Sequence, residues 1–251
     1  KFSKSTTTHR PQTPRDPPAG MGAALLSFVF AKFFGEPQVA LAIAFEAAQD
    51  AAAGAAPEPE LVSRSVQASW GLLTAVLMYG AAYGGIFAIV FAFAYQRLAA
   101  LSPRSMALLL ASVGFLTFVL IPDLKYPPNP PAVGQEETIG LRTEMYFAMV
   151  GLSIAISMIS LLVGRALSNV IGYWNAAVCS IVLGLALVAA VQFGLPDINE
   201  VPDNFPAIVL WRFREASIGM QIVLWSVLGL VFGALAEKCL PSSNSAVRKT
   251  A

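Results

Sequence analysis

The chain alternates long apolar runs with short polar stretches, and the lengths of the runs set the architecture. Ser69–Tyr95, Ala107–Ile121, Met145–Val163, Asn175–Phe193 and Ile218–Ala236 read as membrane spans. A sixth run, Gly20–Phe34, is apolar except for Lys32. At ~1.5 Å per residue it reaches only about 22 Å, short of a hydrocarbon core of roughly 30 Å. Glu36-Pro37 predicts a break after it, Val39–Ala48 an amphipathic helix carrying Glu46, and Gln49–Glu60 an Ala/Pro-rich surface excursion. Two spans carry Gly80-Ala-Ala-Tyr-Gly84 and Gly229-Leu-Val-Phe-Gly233, a spacing that lets helix backbones approach closely.

Charge decides whether the short run spans. If it does, one face of the membrane receives the N-terminal tail, the turn holding Arg97 and Arg104, Arg165 and the C-terminal tail. That face then holds ten of the sixteen Lys/Arg: Lys1, Lys4, Arg10, Arg15, Arg97, Arg104, Arg165, Lys238, Arg248 and Lys249. If it does not, the four basic residues of the tail move to the acidic side and the bias reverses. The positive-inside rule therefore predicts six transmembrane helices, the first one short, with both termini on the cytoplasmic, matrix or stromal side. The fold class is all-α, a polytopic membrane helical bundle. Residues 1–19 read as a basic Ser/Thr/Pro-rich tail, 20–237 as the transmembrane domain and 238–251 as a C-terminal tail.

Two polar segments fall together on the opposite face. One is IPDLKYPPNPPAVGQEETIGLRTEMY (Ile121–Tyr146); the other is LPDINEVPDNFPAIVLWRFREASIG (Leu195–Gly219). Opposite charges, rigid prolines and large aromatics in one connector suit a cap folded onto helix ends, because Arg pairs with carboxylates in a fixed fork and proline holds turns. Arg64, Lys125, Tyr126, Asn129, Arg142, Trp211, Arg212 and Arg214 are its structural candidates. Arg142, Arg212 or Arg214 is expected to bond an acid of this face, with Glu200 and Glu36 the leading partners. The run Pro127, Pro128, Pro130 and Pro131 is expected to be extended. Tyr126, Tyr146, Trp174 and Trp211 read as interface aromatics.

That face also holds thirteen of the fifteen acids. Two readings stand: a mouth that concentrates cations, or a lid whose acids pair with its own basic residues. In the first reading Glu36, Glu46, Asn199 and Glu200 are the candidate metal ligands. All are oxygen donors, which suit hard ions; the one histidine, His9, lies in the tail on the other face.

Composition narrows the class further. Hydrophobic residues make up 56% of the chain and charged residues 12%, against about 25% charged in soluble proteins. The lipid bilayer is thus one partner. The net charge of +1 with no basic run argues against nucleic acid. Cys179 and Cys239 lie far apart and, like most of the Met residues, read as packing residues. No phosphate loop, dinucleotide fingerprint, HExxH or nucleophile elbow is present, so no enzyme activity and no cofactor is expected. The acid-poor, Arg/Ser-containing start resembles what remains of an organellar presequence, or an ordinary cytoplasmic tail.

Several long motifs are shared with one family. They include FxxxFGEPQVxxAIAFE (Phe30–Glu46), YGxAxGGxFAxxFAxAYxR (Tyr79–Arg97), LKYPxNPPAVG (Leu124–Gly134), TIGxRTxxYFxMV (Thr138–Val150), LPxINEVPxxFPAxxLWRFRxAS (Leu195–Ser217) and LGLVFGALAE (Leu228–Glu237). Over roughly residues 21–238 the chain resembles the CbtA family of multi-pass proteins, proposed subunits of a cobalt transporter. The resemblance implies transport of cobalt or another divalent cation as substrate, further membrane subunits as partners, and a bacterial inner membrane. A processed presequence would instead imply a mitochondrial or plastid inner membrane. The chain departs from the family in one place: the loop after the first helix, often rich in histidine, is here QDAAAGAAPEPE (Gln49–Glu60). The alternative expectation is an accessory or scaffold subunit of a large membrane complex that has kept the fold.

Overall fold

The computed structural model describes residues 17–54, 61–95, 97, 101–131, 133–134 and 136–240. The N-terminal tail up to residue 16, with His9, residues 55–60 and the C-terminal tail from residue 241 lie outside the described residues. Among the described residues, six helices are long and apolar enough to cross a membrane: α1 (Ala19–Ala52), α2 (Arg64–Ala94), α3 (Pro103–Lys125), α4 (Glu137–Ile171), α5 (Tyr173–Gly194) and α6 (Ala207–Cys239).

Most of these helices outrun their apolar stretches, and α1 does so most. The break expected at Glu36-Pro37 is absent, and the amphipathic stretch and Gln49–Ala52 simply continue the same helix. The reason is local. Ala31–Gly35 forms a wide, π-helical turn in which the Glu36 N–H bonds the Ala31 carbonyl, five residues back. Pro37 follows at once. A proline in a helix has no N–H, and its ring collides with the carbonyl four residues earlier; a wider turn just ahead moves that carbonyl aside. α3 repeats the device: Leu116–Leu120 is π-helical, the Ile121 N–H bonds the Leu116 carbonyl, and Pro122 comes next. A third wide turn, Gln67–Gly71 in α2, has no proline. Its Ala68 carbonyl accepts a 2.8 Å bond from Lys32 Nζ, so the one charge of the first apolar run is spent tying α1 to α2.

Helices α1, α2, α3 and α6 form a core. Between helices in lipid, close contact comes from small residues rather than from hydrophobic exclusion, and both glycine pairs serve that purpose. A Cβ on Gly80 would lie 2.6 Å from the Ala24 Cβ and 2.9 Å from the Gly20 carbonyl oxygen. One on Gly229 would lie 2.7 Å from the Ala111 Cβ. Phe87, Phe91, Met106, Leu224, Trp225, Leu228 and Phe232 fill the space these contacts leave. Arg104 pairs with Glu237 where α3 starts and α6 ends. Ala19, Ala94 and Ala236 share that core, so both ends of the described chain lie at one end of the bundle.

Helices α4 and α5 make a hairpin beside this core. They turn through Gly172, whose φ of +80° is left-handed and suits glycine. Gly164 faces Ser180 and Gly184 faces Ser160 along their seam. The hairpin touches the core mainly through α4 against the last turns of α3, and Arg165 Nη2 reaches the Arg97 carbonyl at 2.8 Å near the other end. Much of its remaining surface is exposed. Cys179 and Cys239 are exposed rather than packed. Met106 and Met149 are fully buried as expected, whereas Met78 is 70% and Met158 52% exposed.

Candidate functional site

The two polar segments do meet, at the end of the bundle opposite the chain ends. The described residues 126–131 and 133–134 leave α3 without helix through their prolines. The stretch 195–206 crosses them from α5 to α6. Lys125 pairs with Asp197, and Tyr126 Oη donates to the Pro196 carbonyl at 2.9 Å. Tyr126 is therefore no interface aromatic: it is 2% exposed, and burial pushes its phenol pKa up, keeping it a donor. Trp211 and Trp174 are largely exposed; Tyr146 is half-buried, its hydroxyl on the Phe118 carbonyl at 3.2 Å. Pro122 explains that last contact, since it has no N–H to offer the carbonyl four residues back.

The arginines divide the rest of the cap between them. Arg142 Nε lies 3.3 Å from Glu200 Oε2, and Arg142 Nη2 donates to the Pro127 carbonyl. Thr138, one turn before Arg142 on α4, donates to Glu200 Oε1 at 2.8 Å. Glu200 is only 2% exposed, so these bonds are what permit a carboxylate there. Arg214 donates to the Pro128 carbonyl at 3.3 Å and to Asn129 Oδ1 at 2.9 Å, not to an acid. Glu36 pairs with Arg64 at 2.6 Å, one of the structural candidates, rather than with Arg142, Arg212 or Arg214. Arg212 is exposed. The outward extension of α1 completes the cap: Ala42 and Phe45 pack on Val133, Phe205 and Val209, with Phe45 edge-on to Phe205 at 5.0 Å.

The four candidate metal ligands are thus placed apart by function. Glu36 and Glu200 are bonded as above, Asn199 Oδ1 accepts the Val201 N–H at 3.2 Å, and Glu46 is exposed. Among the described residues no three His, Cys, Asp or Glu side chains gather as a metal cluster.

Beneath the cap, between α3, α4 and α6, lies a cavity of about 410 Å³. Asp123, Tyr126, Asn129, Arg142, Tyr146, Ser217 and Gln221 supply its polar wall, and Val119 and Met220 its apolar part. Asp123 makes no hydrogen bond or ion pair among the described residues. Gln221 Oε1 is shielded and likewise has no partner. One turn farther along α6 the polar lining ends at Trp225, which meets Tyr83 at 5.4 Å and Phe118 at 6.2 Å. Gly114 leaves the room for its ring.

Asp123, Ser217 and Gln221 were not singled out as site residues from sequence. The signal is present: Arg214, Ser217 and Gln221 are spaced i, i+3, i+7 on α6, and Thr138, Arg142 and Tyr146 are spaced by four on α4. Each is a polar stripe facing one way from its helix.

This arrangement combines an apolar six-helix bundle, a cap of prolines and arginines at one end, and a polar cavity under that cap. Comparison with curated proteins and with solved structures finds no match. A family model described as "Probable cobalt transporter subunit (CbtA)" matches residues 18–237, nearly the whole described chain. The chain, an integral membrane protein of six candidate spans, therefore belongs to the CbtA family of probable cobalt transporter subunits.

Proposed function

We propose that this chain is the subunit through which a divalent cation, cobalt by family, enters the membrane from the capped side. The observation that carries the reading is the polar cavity at the capped ends of α3, α4 and α6, against a four-helix core filled mainly by apolar side chains. A bundle that served only as an anchor would have no use for an unbonded carboxylate and a shielded amide oxygen under its cap. The acids of the cap face raise the local concentration of cations by focusing the field. Glu46 is the sequence-predicted ligand that keeps its carboxylate exposed for this; Glu36, Asn199 and Glu200 hold the cap in shape. With its positive face inward by charge count, the cap lies on the non-cytoplasmic side of a bacterial or organellar inner membrane. The family description as a subunit points to further membrane chains beside it.

The test is cobalt flux in vesicles containing the chain with whatever co-purifies. Cobalt entering faster than in empty vesicles supports the proposal. Flux equal to that of empty vesicles, with the chain folded and its co-purifying subunits present, contradicts it.

A further inference from the structure

We infer that the cavity centred on Asp123 is a binding site for a hydrated divalent cation, held through its water shell rather than by direct protein ligands. This rests on the reading of the chain as a cation-transport subunit and adds which residues meet the ion and in what form.

Three observations carry it. The first is donor chemistry. The cavity offers the Asp123 carboxylate, the Gln221 amide, the Asn129 amide and the Tyr146 and Ser217 hydroxyls, all oxygen or amide groups with no thiolate or imidazole. Cobalt bound directly prefers nitrogen-containing sets, whereas oxygen sets favour hard ions and water. The second is the state of those groups. Asp123 has no hydrogen-bond or ion-pair partner among the described residues, and Gln221 Oε1 is shielded without one. Both are acceptors, and the outward-facing hydrogens of a cation's water shell are donors. The third is size. Six waters take about 180 Å³ at ~30 Å³ each, so the cavity of about 410 Å³, open on one side, has room for an ion with its whole shell.

Arg142 lines the same cavity and its charge acts on Asp123, but its bonds go to Glu200 and the Pro127 carbonyl, and those of Arg214 to Pro128 and Asn129. Their presence leaves the pocket close to neutral overall, so the cation is held weakly. Weak holding suits a transport site, where an ion must leave as well as enter. A further consequence follows for selectivity: a site that meets only the water shell cannot tell cobalt from magnesium, so discrimination has to be made elsewhere in the assembly.

The test is equilibrium dialysis of the purified chain against cobalt(II), magnesium and hexaamminecobalt(III), whose inert ligands forbid direct coordination. Cobalt and magnesium are expected to bind within roughly tenfold of each other, and hexaamminecobalt(III) to displace both. Asp123→Asn should weaken cobalt and magnesium by up to about tenfold, the loss of one unit charge from a dication held across a water layer, and the trivalent hexaamminecobalt(III) by more. Gln221→Leu should weaken them less, and Glu237→Gln, at the opposite end of the bundle, should leave them unchanged. Matching thermal transitions confirm that each variant is folded. Cobalt that binds but is not displaced by hexaamminecobalt(III) overturns the hydrated form. Binding unchanged in Asp123→Asn overturns the site, and if that variant still carries cobalt the proposed function survives without it. Wild-type protein that neither binds nor carries cobalt overturns both.

Discussion

The two ends of the same four-helix core are built on opposite principles. Toward the chain ends, α1, α2, α3 and α6 meet through glycine, alanine and aromatic side chains, with Arg104–Glu237 at the very edge. Toward the cap, Arg214 on α6, Tyr126 at the end of α3 and Arg142 on the neighbouring α4 reach carbonyls that the loops expose. Close apolar packing leaves no room for water and makes a barrier. Bonds between long polar side chains and loops leave gaps, and one of those gaps is the cavity. The change occurs within one turn of α6, between Gln221 and Trp225.

Removing a central partner on each side would test this division. Glu200→Ala leaves Arg142 and Thr138 facing a buried void, and loss of one member of such a pair costs about 3 kcal/mol or more. Thermal unfolding in detergent should show it as the largest drop of the series. If Glu200→Ala unfolds like wild type, the cap is not held by that pair. On the packed side, Gly80→Val drives a side chain into Ala24 and the Gly20 carbonyl, an overpacking that costs about 1–3 kcal/mol. A melting temperature equal to wild type would show that α1 and α2 do not approach so closely. Gly172→Ala forces an alanine into a left-handed turn at a cost of about 1 kcal/mol; it should loosen the α4–α5 hairpin and leave the core unchanged. Asp197→Asn is the smallest change. Its carboxylate side chain is 94% exposed, so the loss should stay within about 0.5 kcal/mol.

The apolar half was legible in the sequence because its signals are local. Run length, the charge count and the two GxxxG spacings each depend on neighbours within a few turns, and six helices with paired ends followed from them. The continuity of α1 was not legible, since Glu36-Pro37 ordinarily ends a helix and only the wide turn at Ala31–Gly35 carries the chain through. The cap was legible as a cap, down to Arg142 with Glu200, because prolines and opposite charges in one connector need each other. Its partner assignments were harder. Arg214 and Tyr126 bond backbone carbonyls, which every residue carries and no sequence pattern marks. Asp123 escaped notice for a related reason: at the end of an apolar run beside Pro122 it looks like a boundary residue, and only the fold turns it toward Arg142, Tyr146 and Gln221.

A polar cavity under the cap and an apolar core below it should admit water to one part of the bundle and exclude it from the other. Labelling of single cysteines with a membrane-impermeant maleimide tests this most directly, in a background where Cys179 and Cys239 are replaced by serine. Ser217→Cys lines the cavity and should react from the capped side alone. Leu228→Cys, at a position 1% exposed below Trp225, should react from neither side. An inert Ser217→Cys, or a Leu228→Cys that labels as fast, would contradict it.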